Sequence, residues 1–95
     1  MTARQVTVAV SGTPVQGPDV IVPVGAKILV KPRGANTGVV CMASSSADAD
    51  KTSDKHLRIE AGVPVGVNEK NLNDLWFDST QAGDIIDLAF DNNWN

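Results

Sequence analysis

His56 and Cys41 are the single histidine and the single cysteine of the chain. A thiolate–imidazole pair is the first chemistry they suggest, but their settings argue against it. Cys41 lies in Val-Val-Cys-Met (39–42), an apolar run in which a cysteine is commonly a small, inert core residue. No neighbouring charge is placed to lower its pKa. His56 falls on the polar side of an alternating stretch, where a solvated surface residue is the ordinary meaning. Asp48, Asp50 and Asp54 call for a calcium test. A calcium loop of the EF-hand kind begun at Asp48 wants glycine at its sixth position and glutamate at its twelfth; the chain has Ser53 and Ile59 there. A solvated acidic loop fits better. Asp74 and Asp78 fall on one face of one predicted strand, as the acid and base of glycoside hydrolysis would. Solvated strand-face acids are commoner, and no aromatic cleft is evident around these two. There is no phosphate-binding glycine motif. The expectation is a non-enzyme with no catalytic, cofactor-binding or metal-ligating residues.

Residue choice points to β-structure. Thirteen of the 95 residues are valine, a stiff β-branched residue suited to a pleated surface. Eight glycines and five prolines leave little room for a long helix. Val6, Val8 and Val10 alternate with polar or small residues, the period of a strand with one buried face. The same alternation recurs at Val20–Val24, Ala26–Lys31, Leu57–Ile59, Val63–Val67, Leu72–Asp78 and Asp84–Phe90, with a short apolar strand at Val39–Met42. About eight short strands at this spacing predict one all-β domain over 1–95, an antiparallel β-sandwich or jelly roll. Its core is expected from Val6, Val8, Val10, Val20, Val22, Ile28, Val30, Val40, Leu57, Ile59, Val65, Leu75, Phe77, Ile86, Leu88 and Phe90. Residues 43–55 hold no large apolar side chain and read as a long exposed loop. Residues 91–95 read as a polar tail.

Composition narrows the partners. A net charge of −3 argues against nucleic acid, whose phosphates need a basic face. No apolar run approaches the roughly 20 residues that span a bilayer as a helix, so no membrane partner is expected. One cysteine excludes an intrachain disulfide, and a reducing compartment suits the chain.

The informative residues are apolar ones on faces that should be polar. Trp76 stands between Asp74 and Asp78 on the outer side of its strand. Ile85 is on the outer side of the next, which a short turn makes its expected pairing partner, so Trp76 and Ile85 are expected to meet. Ile21 and Leu29 are also off-core, and Trp94 lies in the polar tail. Tryptophan is enriched at interface anchors. A domain this small has a thin margin of buried surface that association would supplement. Trp76, Ile85, Trp94, Ile21 and Leu29 are therefore the expected protein-contact residues.

Several stretches share a grammar: Val-Pro-Val-Gly-Ala-Lys-Ile-Leu-Val-Lys (22–31), Asn-Thr-Gly (36–38), Leu-Arg-Ile-Glu-Ala-Gly-Val-Pro-Val (57–65) and Asn-Leu-Asn-Asp-Leu-Trp-Phe-Asp-Ser (71–79). Across roughly 20–90 this resembles the small virion proteins of tailed bacteriophages. The resemblance implies a compact β-sandwich, often trimeric, that decorates or cements the capsid from its outer surface by bridging major capsid protein subunits. It carries over no active site and no cofactor. The chain departs from the pattern in its Ser/Asp-rich segment 43–55 and its Asn-Trp-Asn ending. The alternative expectation is a tail-fibre or receptor module that binds carbohydrate. Against it stands the small aromatic complement, four residues with no tyrosine.

Overall fold

The computed structural model describes residues 1–91. Eight strands are present: β1 (Thr2–Val8), β2 (Val15–Gln16), β3 (Ile28–Pro32), β4 (Val40–Ala43), β5 (Leu57–Ile59), β6 (Val65–Val67), β7 (Trp76–Ser79) and β8 (Asp84–Phe90). They form two four-stranded sheets, ordered β1-β8-β3-β6 and β2-β7-β4-β5. The order has a simple origin. β1 pairs with β8, β2 with β7, β3 with β6 and β4 with β5, each antiparallel. These four pairings are one long hairpin with its tip between β4 and β5. Rolling the hairpin lays β8 against β3 and β7 against β4. The result is an eight-stranded jelly roll, as the sequence led us to expect.

The period-two pattern sorts side chains to the two faces. β8 alternates strictly, with Ile86, Leu88 and Phe90 buried and Ile85, Asp87 and Ala89 half-buried. Ile28 and Val30 in β3, and Val6 and Val8 in β1, share that inner face. They pack with Val40, Met42, Ile59 and Phe77 of the second sheet in one core, which supplies the main driving force for folding.

The two central strands of the second sheet, β7 and β4, are covered on their outer side as well. Cys41 and Asp78 point away from the core, yet both are fully buried. The cover is residues 44–56, the tip of the rolled hairpin. This segment folds back over β4 and β7 and includes a single helical turn, α1 (Ser46–Ala49). The Ser45 hydroxyl caps α1 by accepting from the Asp48 amide. The long loop expected over 43–55 is exposed at Ser44, Ser46, Ala47, Thr52, Asp54 and Lys55, but it is also a strap, with its own Ala49 fully buried against the sheet. No large side chain signalled this, because a methyl group suffices to fill the gap.

Other expectations are corrected too. Val20–Val24 is not a strand. Only Ile21 bridges across, to Asn71, since Pro18 and Pro23 lack the N–H a ladder needs. Pro23–Ala26 is a turn closed by the Ala26 amide on the Pro23 carbonyl, with Gly25 at φ +86° in its third position, the type II arrangement. The predicted strand Leu72–Asp78 is divided. Asn71 begins a 3₁₀ turn (Leu72–Asp74) through a capping box in which the Asp74 carboxylate accepts from the Asn71 amide. Val10 and Leu57 are exposed, at 60% and 50%, and not in the core. Val10 lies beyond the last paired residue of β1, and Leu57 begins the edge strand β5.

Candidate functional site

Two polar constellations stand at opposite ends of the roll. The first gathers the β1–β2, β3–β4 and β7–β8 connections around two buried carboxylates. Asp78 Oδ1 accepts from the Gly12 and Ser79 amides at 2.9 and 2.8 Å, and Oδ2 accepts from the Lys51 amide at 2.7 Å. Asp84 Oδ1 accepts from the Thr37 amide, and Oδ2 accepts from the Gly38 amide and the Ser79 hydroxyl. The Asn36 side chain both donates to the Ile85 carbonyl and accepts from the Ile85 amide. The Asn-Thr-Gly stretch is thus an anchor for the start of β8.

This end also holds a serine–lysine contact, with Lys51 Nζ 2.8 Å from Ser11 Oγ. A nucleophilic serine must give its proton to a neutral base. Here the Ser11 hydroxyl donates instead to the Ser79 carbonyl at 2.7 Å, and the lysine is the donor to Ser11. The contact is a clamp on the strap. The buried polar side-chain atoms of the described residues are all hydrogen-bonded, as a structural knot requires.

The remaining chemistry-bearing residues are dispersed. Asp74 belongs to the 3₁₀ turn and Asp78 to the knot, so they share no strand face and form no acid–base pair. His56 Nδ1 lies 3.0 Å from the Asp48 carbonyl, which can only accept, so Nδ1 carries the proton. Asp50 accepts from the Thr52 amide and hydroxyl, which hold its carboxyl below the ordinary range. Among the described residues no three His, Cys, Asp or Glu side chains cluster as metal ligands. Nor is any helix there long and apolar enough to cross a membrane.

Burial pushes the Cys41 thiol above its ordinary value of 9.0. A thiol-specific chromogenic reagent at pH 8 is accordingly expected to leave the native protein unmodified and to label one thiol per chain on denaturation. The raised value favours the neutral thiol in the fold. Its contribution to stability is therefore complete below the unfolded-state pKa and lost as pH rises through the folded one. Urea titrations at increasing pH should show the midpoint starting to fall only above about pH 9 in the wild type, and less steeply in Cys41→Ala.

The second constellation is a cleft of about 770 Å³ at the other end, between the β2–β3 and β6–β7 connections. Trp76 forms one wall, at the start of β7, paired with Gln16 of β2 and Ala43 of β4. Val22, Pro23 and Val24 form another. Gln16, Asn68, Glu69, Asn73 and Asp74 supply polar groups. The connections are fixed from behind: Asn71 Oδ1 accepts from the Val20 and Asn73 amides, the Leu72 amide donates to the Val20 carbonyl, and the Val22 amide donates to the Lys70 carbonyl.

The residues expected at interfaces are therefore separated. Trp76 is half-buried in the cleft. β7 and β8 lie in different sheets, so Trp76 and Ile85 are not the neighbours they were expected to be. Ile85 and Leu29 belong to the outer face of the first sheet, where Leu29 is 46% exposed. Ile21 is 78% exposed beside Asn71. Trp94 lies outside the described residues. The cleft's polar residues were not anticipated. A signal was available in the asparagines at 68, 71 and 73, which lead into Trp76. Compared with known proteins, the chain matches no family model, no curated protein and no solved structure.

Proposed function

We propose that the protein is a capsid decoration protein of a tailed bacteriophage, attached through the outer face of its first sheet. The observation that carries this reading is an asymmetry between the two sheets. The chain lays its own strap over β4 and β7 on the outer side of the second sheet, and among the described residues no segment crosses that of the first. Ala3, Ala89, Leu29 and Gly66 run in register across β1, β8, β3 and β6 on that side. The row is short and apolar as far as β3, through Ala3, Ala89 and Leu29, and the Lys27 side chain lies over Gly66 at its β6 end. It is followed by Gln5, Asp87 and Lys31, and then by Thr7 and Ile85. Arg33 reaches over this face to Asp87 at 3.0 Å. An apolar row bordered by charged side chains suits docking on a broad protein surface.

Ile21, at the cleft end, offers a separate apolar contact for a neighbouring copy, in keeping with a trimer. Attachment at several points makes the bound state much tighter than any one contact. Binding the assembled shell in preference to free subunits would stabilise the shell by linkage. The jelly-roll fold is shared by viral capsid and lectin domains and is compatible with this role without specifying it.

Sedimentation with capsid shells of the encoding phage tests the proposal. The protein should pellet with shells at a fixed stoichiometry, and Leu29→Glu should stay in the supernatant with an unchanged thermal midpoint. Wild-type protein remaining in the supernatant would contradict it.

A further inference from the structure

We propose that the Trp76 cleft is a saccharide-binding site for a neutral or amino-substituted pyranose chain, a site separate from the capsid-facing sheet. A sugar ring has an apolar C–H face and a rim of hydroxyls, each both donor and acceptor. The cleft offers the complement. Trp76 is a flat aromatic wall held by β-pairing on both sides, and such a ring gives broad contact at low entropic cost. Beside it stand side chains that both donate and accept, or accept only: the carboxamides of Asn68 and Asn73 and the carboxylate of Glu69. None of these three side chains makes a hydrogen bond within the described residues, so each is available to a ligand.

Gln16 is fixed by donating to the Asn73 carbonyl at 2.9 Å, which steadies the floor. The backbone behind the cleft is tied by Asn71 and its capping box, so little order remains to be created on binding. About 770 Å³ falls in the ordinary range of small-ligand sites. Charge selects among sugars. The charged residues of the lining are Glu69, Asp74 and Lys70, two acids to one base, which disfavours anionic sugars and favours neutral or amino-bearing ones.

Fluorescence titration tests the site in a Trp94→Phe background, where Trp76 is the remaining tryptophan. The probes are chitotriose, cellotriose, maltotriose and a partly deacetylated chitotriose. At least one should change Trp76 emission saturably, with a Kd between about 10 µM and about 5 mM. Asn68→Ala/Asn73→Ala should weaken that binding by about tenfold or more while leaving the unfolding midpoint in place, since neither side chain holds the fold. Leu29→Glu should bind the same sugar normally, which separates this site from the capsid-docking reading. The proposal is overturned if no probe gives a saturable response up to about 20 mM, or if the response survives the double substitution. It is equally overturned if the double substitution abolishes shell sedimentation, which would make the cleft a protein contact.

Discussion

Asp78→Ala is expected to destabilise the protein by about 3–5 kcal/mol and to free the strap. The carboxylate satisfies three amides, from Gly12, Lys51 and Ser79, in a place without solvent. An unsatisfied buried donor costs about 1–3 kcal/mol, and partial rescue by entering water keeps the total below the simple sum. A 95-residue domain has roughly 5–14 kcal/mol in all, so a large part of its stability is at stake. Asp78→Asn should fare almost as badly. Both oxygens are acceptors, and an amide nitrogen in either place would face another donor. Urea unfolding gives the loss. Limited trypsin digestion gives the location, because freeing the strap should make Lys51 and Lys55 the first cleavage sites. A substitution that left both midpoint and digestion unchanged would show that the knot does not hold the strap.

The second large effect is expected at Gly17. A β-carbon added there would lie 2.2 Å from the Leu72 carbonyl oxygen and 3.0 Å from its carbon. Both are backbone atoms, fixed by the Leu72 amide on Val20 and the Leu75 carbonyl on the Gly17 amide. A flexible side chain could turn aside; this backbone cannot. Gly17→Ala is expected to cost about 3 kcal/mol or more, at the upper end of overpacking effects, and to disturb the cleft floor that β2 and the 3₁₀ turn share. Gly34→Ala is the control. Nothing lies within 4 Å of a β-carbon there, and its thermal midpoint should match the wild type.

Much of the architecture was legible in the residues. The alternation of β8, β3 and β1 assigned their buried faces correctly because one side of each strand is core and the other is not. What alternation cannot carry is partnership. The pairing of β2 with β7, and the placing of β7 and β8 in different sheets, are long-range outcomes of rolling one hairpin, so the local inference that joined Trp76 to Ile85 failed. Prolines at 18 and 23 gave a clear signal against a strand that the run of valines outweighed. Asp78 looked like a solvated strand-face acid, because nothing in its neighbourhood in sequence announces that a distant strap will cover it. The strap itself was obscured by its small side chains, since Ala49 fills its space with a methyl group. Trp76 was rightly set apart from the core, but its surroundings come from two connections far apart in the chain.

The stretches that carry the sequence resemblance gain a physical meaning from the structure. Asn-Thr-Gly anchors β8 through Ile85 and Asp84. Asn-Leu-Asn builds the capped 3₁₀ turn behind the cleft. These are devices of folding, and so they bear on architecture more than on partner. The proposed functions rest on surfaces instead: one sheet strapped over β4 and β7, one left open among the described residues, and a cleft walled by Trp76 at an end.

Hydroxyl-radical footprinting of the protein, free and bound to capsid shells, tests the open-sheet claim most directly. Leu29 and Ile85 should be oxidised in the free protein and fall to background when bound, while Leu57, half-exposed at the edge of the opposite sheet, stays reactive in both. Continued oxidation of Leu29 and Ile85 in the bound state, or protection confined to Leu57, would contradict the account.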